Sequence, residues 1–404
     1  MSHTRTVLIV GGGIAGPAAA MALQKAGLDS VVYEAHPGSA ENIGAFLTVA
    51  VNGVNALRTL GADQPAIAAG FPTTEIIVWS GTGKRLGAAA VSMTLADGTT
   101  GYTLKRADLY TALHNQAASR GIRIEHRKRL AAADAVSGGV RAGFTDGTSA
   151  TADILIGCDG VHSTVRRIID PTAPAPDYAG LINLGGYVRG VPVTAEPGTY
   201  HMIFGKRAFF GYALAPTGEV WWFANVPEPE EPTRDSHARI SSSEWRQRLT
   251  DLFADDAGPA TQLIQATAHQ LAASPVHTMP RLRAWHTDRM IVIGDAAHAP
   301  SPTSGQGASL AIEDAVQLAK CLRDLPGPDR AFATFEQLRR PRVEKIIKQA
   351  ARVNNNKAAT GLGRILRDMT MPVLMPAYVR FIANGKPGRQ LYAHHIDWDT
   401  PCTY

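Results

Sequence analysis

The segment TVLIVGGGIAG, Thr6 to Gly16, decides how the rest of the chain is read. Its first half is short, apolar and rich in β-branched residues, the composition of a strand buried in a parallel sheet. The second half is Gly11-x-Gly13-x-x-Gly16, and the Ala-rich AAAMALQKAG behind it favours a helix closing at Gly27. SVVYE, from Ser30, returns to strand character and ends on Glu34. In such a βαβ unit each glycine has its own task. Gly11 makes the tight turn, Gly13 lets backbone approach a pyrophosphate, and Gly16 lets the helix pack on the strand. The helix start adds unpaired N–H groups and partial positive charge for that anion. Ala15 and Ala35 flank these positions and belong to the same candidate site. Glu34 is placed for ribose hydroxyls, which suits the free 2′-hydroxyl of FAD or NAD and repels a 2′-phosphate.

Two later segments repeat the strand-to-loop pattern. ADILIGCDG from Ala152 and RMIVIGDAA from Arg289 are buried-strand patterns that run into Asp159 and Asp295. Ligands of open α/β sheets sit outside the carboxyl ends of the strands. Strand ends carrying Gly11, Glu34, Asp159 and Asp295 therefore imply an extended ligand or two ligands. After Asp295, a loop with Pro302, Gly305 and Gly307 leads into a helix with the apolar stripe Ala311, Ala315, Leu318, Ala319 and Leu322. Between these motifs the pattern is helical from Gly44 to Leu60, strand at EIIVW, helical up to Gly121, and strand again at IRIEH. Beyond Pro326 it is helical to about Ile382, with breaks expected at Pro341, Pro372 and Pro376.

From Pro171 to Pro280 the character changes to Pro, Gly and aromatics with the alternation of antiparallel strands, interrupted by a helical insert at Ser243–Phe253. In AFFGYALA, Phe210, Tyr212 and Leu214 share one face, and Phe209, Gly211 and Ala213 the other. The adjacent Trp221 and Trp222 must likewise point opposite ways. The candidate substrate-facing residues are Tyr187, Arg189, Phe204, Phe210, Tyr212 and Trp222. The resulting division is residues 1–72, 100–170 and 281–325 for a dinucleotide domain, 73–99 and 171–280 for a substrate-binding sheet, and 326–404 for a C-terminal helical segment.

The chain has 404 residues, 45% hydrophobic and 19% charged, with a formal charge of +5. That is a soluble globular composition whose mild basicity fits acidic ligands, and no Lys/Arg run points to nucleic acid. Cys158, Cys321 and Cys402 are far apart in sequence and form neither metal spacing nor a disulfide framework, which fits a reducing compartment. The first strand starts too early for a leader, and no run of about 18 apolar residues suggests a membrane span. His298 reads as a structural histidine, and His394 and His395 as surface residues; no metal is expected. A cytoplasmic monomer or homodimer follows.

Three motifs in order, VGGGIAG with Glu34, ADILIGCDGVHSTVRR, and VIGDAAHAPSPTSGQGASLAIEDA, make the chain resemble the single-component FAD-dependent aromatic monooxygenases of the para-hydroxybenzoate hydroxylase family. YTLKRADL adds an Arg-x-x-Leu segment with Arg106 at the arginine position. The resemblance implies a Rossmann-like FAD domain with an inserted antiparallel-sheet domain. It implies that Gly11, Gly13, Gly16 and Glu34 hold the ADP half of FAD, that Arg106 contacts FAD, and that Asp295 meets its ribityl or pyrophosphate side. Pro302, Gly305 and Gly307 would line the ring, and Asp159, Ser163 and Arg166 would serve FAD and NAD(P)H together. It also implies NAD(P)H as co-substrate, with NADPH favoured, and O₂. The expected reaction is hydroxylation or epoxidation of an aromatic or polycyclic small molecule, such as a natural-product intermediate, through a C4a-hydroperoxyflavin. The alternative is a flavin-dependent dehydrogenase or reductase without oxygen insertion. Three positions depart from the family pattern. No arginine occurs in GSAENIGAF around Asn42–Ala45, Ser309 replaces the usual Asn, and Cys158 stands where Ala is common.

Overall fold

The computed structural model describes residues 6–38, 46–90, 93–233, 240–268, 271, 273–357, 361–379 and 385–402. The segment Asn42–Ala45 lies outside them. Strands Thr6–Val10, Asp29–Tyr33, Arg123–Glu125, Ile154–Gly157 and Met290–Val292 form one parallel sheet. In it Thr6–Val10 lies between Asp29–Tyr33 and Ile154–Gly157, and Met290–Val292 flanks the latter. Continuous apolar runs form these strands because helices cover the sheet, as the near-complete burial of Val7–Val10 and Ile154–Ile156 shows. The helix Ala15–Lys25 packs against the helix Gly307–Asp324. The strand ends bearing the glycine turn, Glu34, Asp159 and Asp295 thus belong to four neighbouring strands.

A second sheet has seven strands in the order 274–278, 177–188, 220–227, 209–214, 199–204, 75–80 and 85–90. It is antiparallel except for the parallel pairing of 199–204 with 75–80. Along Asp177–Val188 burial alternates strictly from Leu181 onward. Ile182, Leu184, Gly186 and Val188 are buried, whereas Leu181, Asn183, Gly185 and Tyr187 stay partly exposed. The buried face is covered by helices Ser242–Phe253 and Ala260–Ala266, whose Trp245, Leu249, Phe253, Leu263 and Ile264 complete a core with Phe210 and Trp222. Ser241 and Glu244 close a capping box at the start of the first of these helices.

Two local expectations are corrected. The stretch from Gly44 to Leu60 is not helical throughout, because Phe46–Val49 is a strand paired with Tyr102–Lys105, and the helix begins only at Val51. Neither does Pro341 break the C-terminal helix, which runs from Pro328 to Lys357. Ion pairs on both sides of the proline hold that helix against its neighbour. Arg339 bonds Glu313 and Asp314 at 2.6 Å each, and Arg342 bonds Glu313 at 2.7 Å. Pro372 and Pro376 likewise sit inside the helix Gly361–Tyr378. The cysteines are not all distant in space, since the free thiols of Cys321 and Cys402 meet at 3.6 Å.

The Glu313–Asp314–Arg339 cluster is fully buried. Burial alone would raise both carboxyls. Arg339 and Arg342 outweigh it for Glu313, and His298 and Arg339 for Asp314, so each is held at about 2. Their ordinary values are 4.5 and 3.8. Depressed carboxyls give stability that is complete above the ordinary values and lost as pH falls towards 2. Arg339→Met leaves two buried carboxylates without their main partner and is expected to cost about 3–5 kcal/mol in urea unfolding at pH 7. The deficit is expected to shrink below about pH 4, where the carboxylates of the variant take up protons.

Candidate functional site

The glycine turn is built by backbone contact. A Cβ on Gly11 would lie 2.3 Å from the Cys158 carbonyl oxygen, and one on Gly16 would lie 2.0 Å from the Gly11 carbonyl oxygen. At Gly13 a Cβ would meet nothing within 4 Å. Gly11 and Gly16 are therefore demanded by the fold, while Gly13 leaves open space where a ligand can approach the chain. The helix that follows has no side-chain cap, so its first N–H groups remain for a ligand anion.

Glu34 closes the turn from the next strand. Its carboxylate accepts from the Gly12 N–H at 2.5 Å and the His36 N–H at 2.7 Å, which fixes it beside the loop, with Ala35 half-buried between. His114 supports the turn from the helix Arg106–Ser119, a role the sequence motifs did not signal. Burial lowers its pKa, and its ring bonds the Gly12 carbonyl at 2.6 Å. A neutral ring carrying its proton on Nε2 is the donor. Arg106, the first residue of that helix, is exposed and has no hydrogen bond or ion pair among the described residues.

The third strand end differs from expectation. Asp159 accepts from Ser163 Oγ at 2.5 Å and from the N–H groups of Thr164 and Val165. Its carboxylate is spent on the start of the helix Thr164–Ile169. Ser163 is buried and caps Arg166 N–H. Arg166 is buried too, donating to the carbonyls of Ala296 at 2.9 Å and Val161 at 2.8 Å. These contacts make the buried Arg166 a brace between two strand-end loops.

At the fourth end, Gly294 takes φ +60° and turns the chain into Asp295–His298. Its N–H donates to Asp314 at 2.9 Å, and His298 bonds the same carboxylate at 2.5 Å. Asp295 stays partly exposed, with its Oδ1 3.8 Å from where a Gly307 Cβ would be. Pro302 and Gly305 are exposed, and Gly305 has φ +58° with open space beside it. The helix from Gly307 also lacks a side-chain cap. Two uncapped helix starts, an open glycine and an unpaired arginine form a donor set for the phosphates of an extended, anionic dinucleotide such as FAD, and the partly exposed Asp295 is an acceptor for its hydroxyls.

Above this cleft stands the partly exposed face of the seven-stranded sheet. Phe46, from the strand that leads into the Val51 helix, lies 5.6 Å from Trp221, 5.9 Å from Phe223 and 6.2 Å from Tyr200 between ring centroids. Tyr200 Oη bonds Thr48 and Thr103, tying the sheet to the cofactor-side strands. Tyr187 and Phe204 share this face; Arg189, at its end, is exposed and pairs with Glu219 at 3.4 Å. Phe210, Tyr212 and Trp222 do not. They point into the opposite core, where Trp222 donates to Thr267 at 3.0 Å and Tyr212 stacks on His201. The expectation was one residue out of phase, because aromatic alternation in this sheet is dense on both faces. Trp221, Phe223 and Phe209 are the aromatic residues on the cleft side of these strands.

The FAD binding domain family matches residues 4–350. Among curated proteins, the chain is 29% identical over 359 residues to the aurachin C monooxygenase/isomerase of Stigmatella aurantiaca, covering 86% of this chain and 88% of that one. It is 30% identical over 393 residues to the 3-amino-4-hydroxybenzoate 2-monooxygenase PtnB3 of Streptomyces platensis, covering 92% and 93%. Among solved structures, Klebsiella pneumoniae HpxO complexed with FAD and uric acid superposes with a TM-score of 0.82 at 24% identity, over 96% of this chain and 98% of that one.

The three turn glycines should separate by experiment. Gly13→Val is expected to fold normally and to weaken FAD binding by about tenfold or more in a fluorescence titration. Gly16→Val, whose side chain collides with backbone, is expected to lower thermal stability even without ligand.

Proposed function

Because the chain belongs to the FAD binding domain family, we infer that it is an FAD-dependent monooxygenase that inserts oxygen into an aromatic or polycyclic small molecule. One observation carries the substrate side of this reading: on the sheet face above the four strand ends Tyr187 and Phe223 stay partly exposed beside buried aromatic rings, whereas Ile182, Leu184, Phe210 and Trp222 on the opposite face are fully buried. Apolar aromatic surface left open over a polar cleft is a place for a flat apolar ligand.

Bound FAD would supply the redox chemistry, taking hydride from NAD(P)H, with NADPH favoured, and activating O₂. Gly13 with the Ala15 helix start would hold its pyrophosphate, Glu34 its adenosine ribose, Arg106 and Asp295 its central part, and Pro302, Gly305 and Gly307 its ring. Phe46, Trp221 and Phe223 would shield the reacting face from water and orient the substrate ring by stacking. Burial holds the Tyr187 hydroxyl protonated, so it acts as an aromatic wall and not as a base.

Incubation with NADPH, ¹⁸O₂ and a panel of aromatic and polycyclic compounds tests the reading. At least one compound is expected to stimulate NADPH oxidation and to yield product carrying one ¹⁸O atom. Stimulated oxidation with product lacking the label would identify a dehydrogenase or reductase instead.

A further inference from the structure

The glycine turn holds its middle residue from both sides. The Gly12 N–H donates to Glu34 Oε2 at 2.5 Å, and the Gly12 carbonyl accepts from His114 Nε2 at 2.6 Å. Glu34 belongs to the βαβ unit itself, whereas His114 stands 102 residues beyond Gly12, on the helix Arg106–Ser119. The N–H before these, that of Gly11, is taken by the Tyr33 carbonyl at 2.8 Å. The N–H after them, that of Gly13, makes no hydrogen bond among the described residues. Gly12 is buried and Gly13 is exposed.

A peptide unit is planar and trans, so its C=O and N–H point in opposite directions. The Gly12 carbonyl and the Gly13 N–H belong to one such unit. A donor that fixes the carbonyl therefore fixes the N–H as well, aimed away from His114. Three consecutive glycines leave the backbone of this turn free to rotate unless something outside it holds the peptide. The ring that does so is itself held. It stacks on Tyr110, one helical turn earlier, with centroids 3.8 Å apart and planes at 24°, and the His126 ring lies 6.1 Å away. A carbonyl oxygen only accepts, so His114 Nε2 carries the proton.

We propose that His114 is a positioning residue for the cofactor: by holding the Gly12 carbonyl it aims the Gly13 N–H at the pyrophosphate. The proposal rests on the reading of this turn as the pyrophosphate site. His114 acts through the peptide and needs no contact of its own with the ligand. An N–H offered already aligned spares the phosphate the cost of ordering the three glycines on association, so affinity gains from preorganisation.

Two substitutions separate the hydrogen bond from the packing. His114→Phe keeps a ring to stack on Tyr110 and loses the donor. His114→Gln loses the ring and keeps an N–H at the end of the side chain. In fluorescence titrations of the apoprotein with FAD, His114→Phe is expected to raise Kd about tenfold or more, and His114→Gln to stay within about threefold of wild type. A histidine that served packing alone would give the reverse order, because phenylalanine preserves the stack. His114→Phe binding FAD as tightly as wild type, or His114→Gln losing tenfold or more, would each overturn the proposal. Should His114→Phe not fold, the His114→Gln titration decides alone. Wild-type protein that took up no FAD would overturn the reading of the turn itself, a result distinct from either.

Discussion

Asp314 is the point on which the cofactor side of the molecule turns. One carboxylate, with no measurable exposure, accepts from the Gly294 N–H, from His298 and from Arg339. Those partners come from the end of a parallel strand, the turn beyond it and the long C-terminal helix. Removing a carboxylate from water is costly, and several charged and backbone donors are needed to offset it. Because they converge, the turn presenting Asp295 cannot shift without moving the helix Gly307–Asp324. That helix start and the glycine turn of Thr6–Gly16 are in turn held in register by packing of the two helices. The geometry of two uncapped helix starts thus depends on a cluster that touches no ligand.

The second sheet solves a different problem, that of giving an aromatic surface an inside and an outside. Helices Ser242–Phe253 and Ala260–Ala266 cover one face, where Ile182, Leu184, Phe210 and Trp222 are fully buried, while Tyr187 and Phe223 on the other stay partly exposed. Gly211 is part of this arrangement: a Cβ there would lie 2.4 Å from the Phe223 ring, so the glycine makes room for that ring on the cleft side. The phenol of Tyr200 then joins the open face to Thr48 and Thr103, so that the wall and the cofactor cleft hold a set distance from each other.

What was legible in the sequence follows from how local the signal is. The glycine turn, Glu34, and the strands ending at Gly157 and Val292 carry their meaning in contiguous residues, and the parallel sheet could be assembled from them. Asp159 could be located but its bonding could not, because capping by its own helix depends on a turn at Gly160 with φ +77°. The sheet face was harder. A strand reading FFGYAL or VWWFAN is aromatic on both sides, so period-two alternation marks two faces without saying which one the helices cover. That decision lies in residues 242–266, far along the chain. Phe46 escaped for the same reason: only pairing with Tyr102–Lys105 makes its segment a strand.

Ser309, at the position where the family resemblance implied an Asn, has a physical role in this chain. Its hydroxyl accepts from the Ala50 N–H at 3.0 Å, at the junction between the Phe46 strand and the Val51 helix. The contact is possible because Gly53 has no side chain: a Cβ there would lie 2.6 Å from Ser309 Oγ. Asn52, one residue earlier, bonds Gln306 at 3.0 Å and Glu313 at 2.7 Å. A small hydroxyl on one helix and a glycine on the other draw the two together, and the neighbouring amide locks the contact. A larger side chain at either position would push apart the segment carrying Phe46 and the helix start that closes the Pro302–Gly307 loop. Ser309 therefore sets the spacing between the aromatic wall and the cofactor loop through its size, a property that no motif built on residue identity expresses.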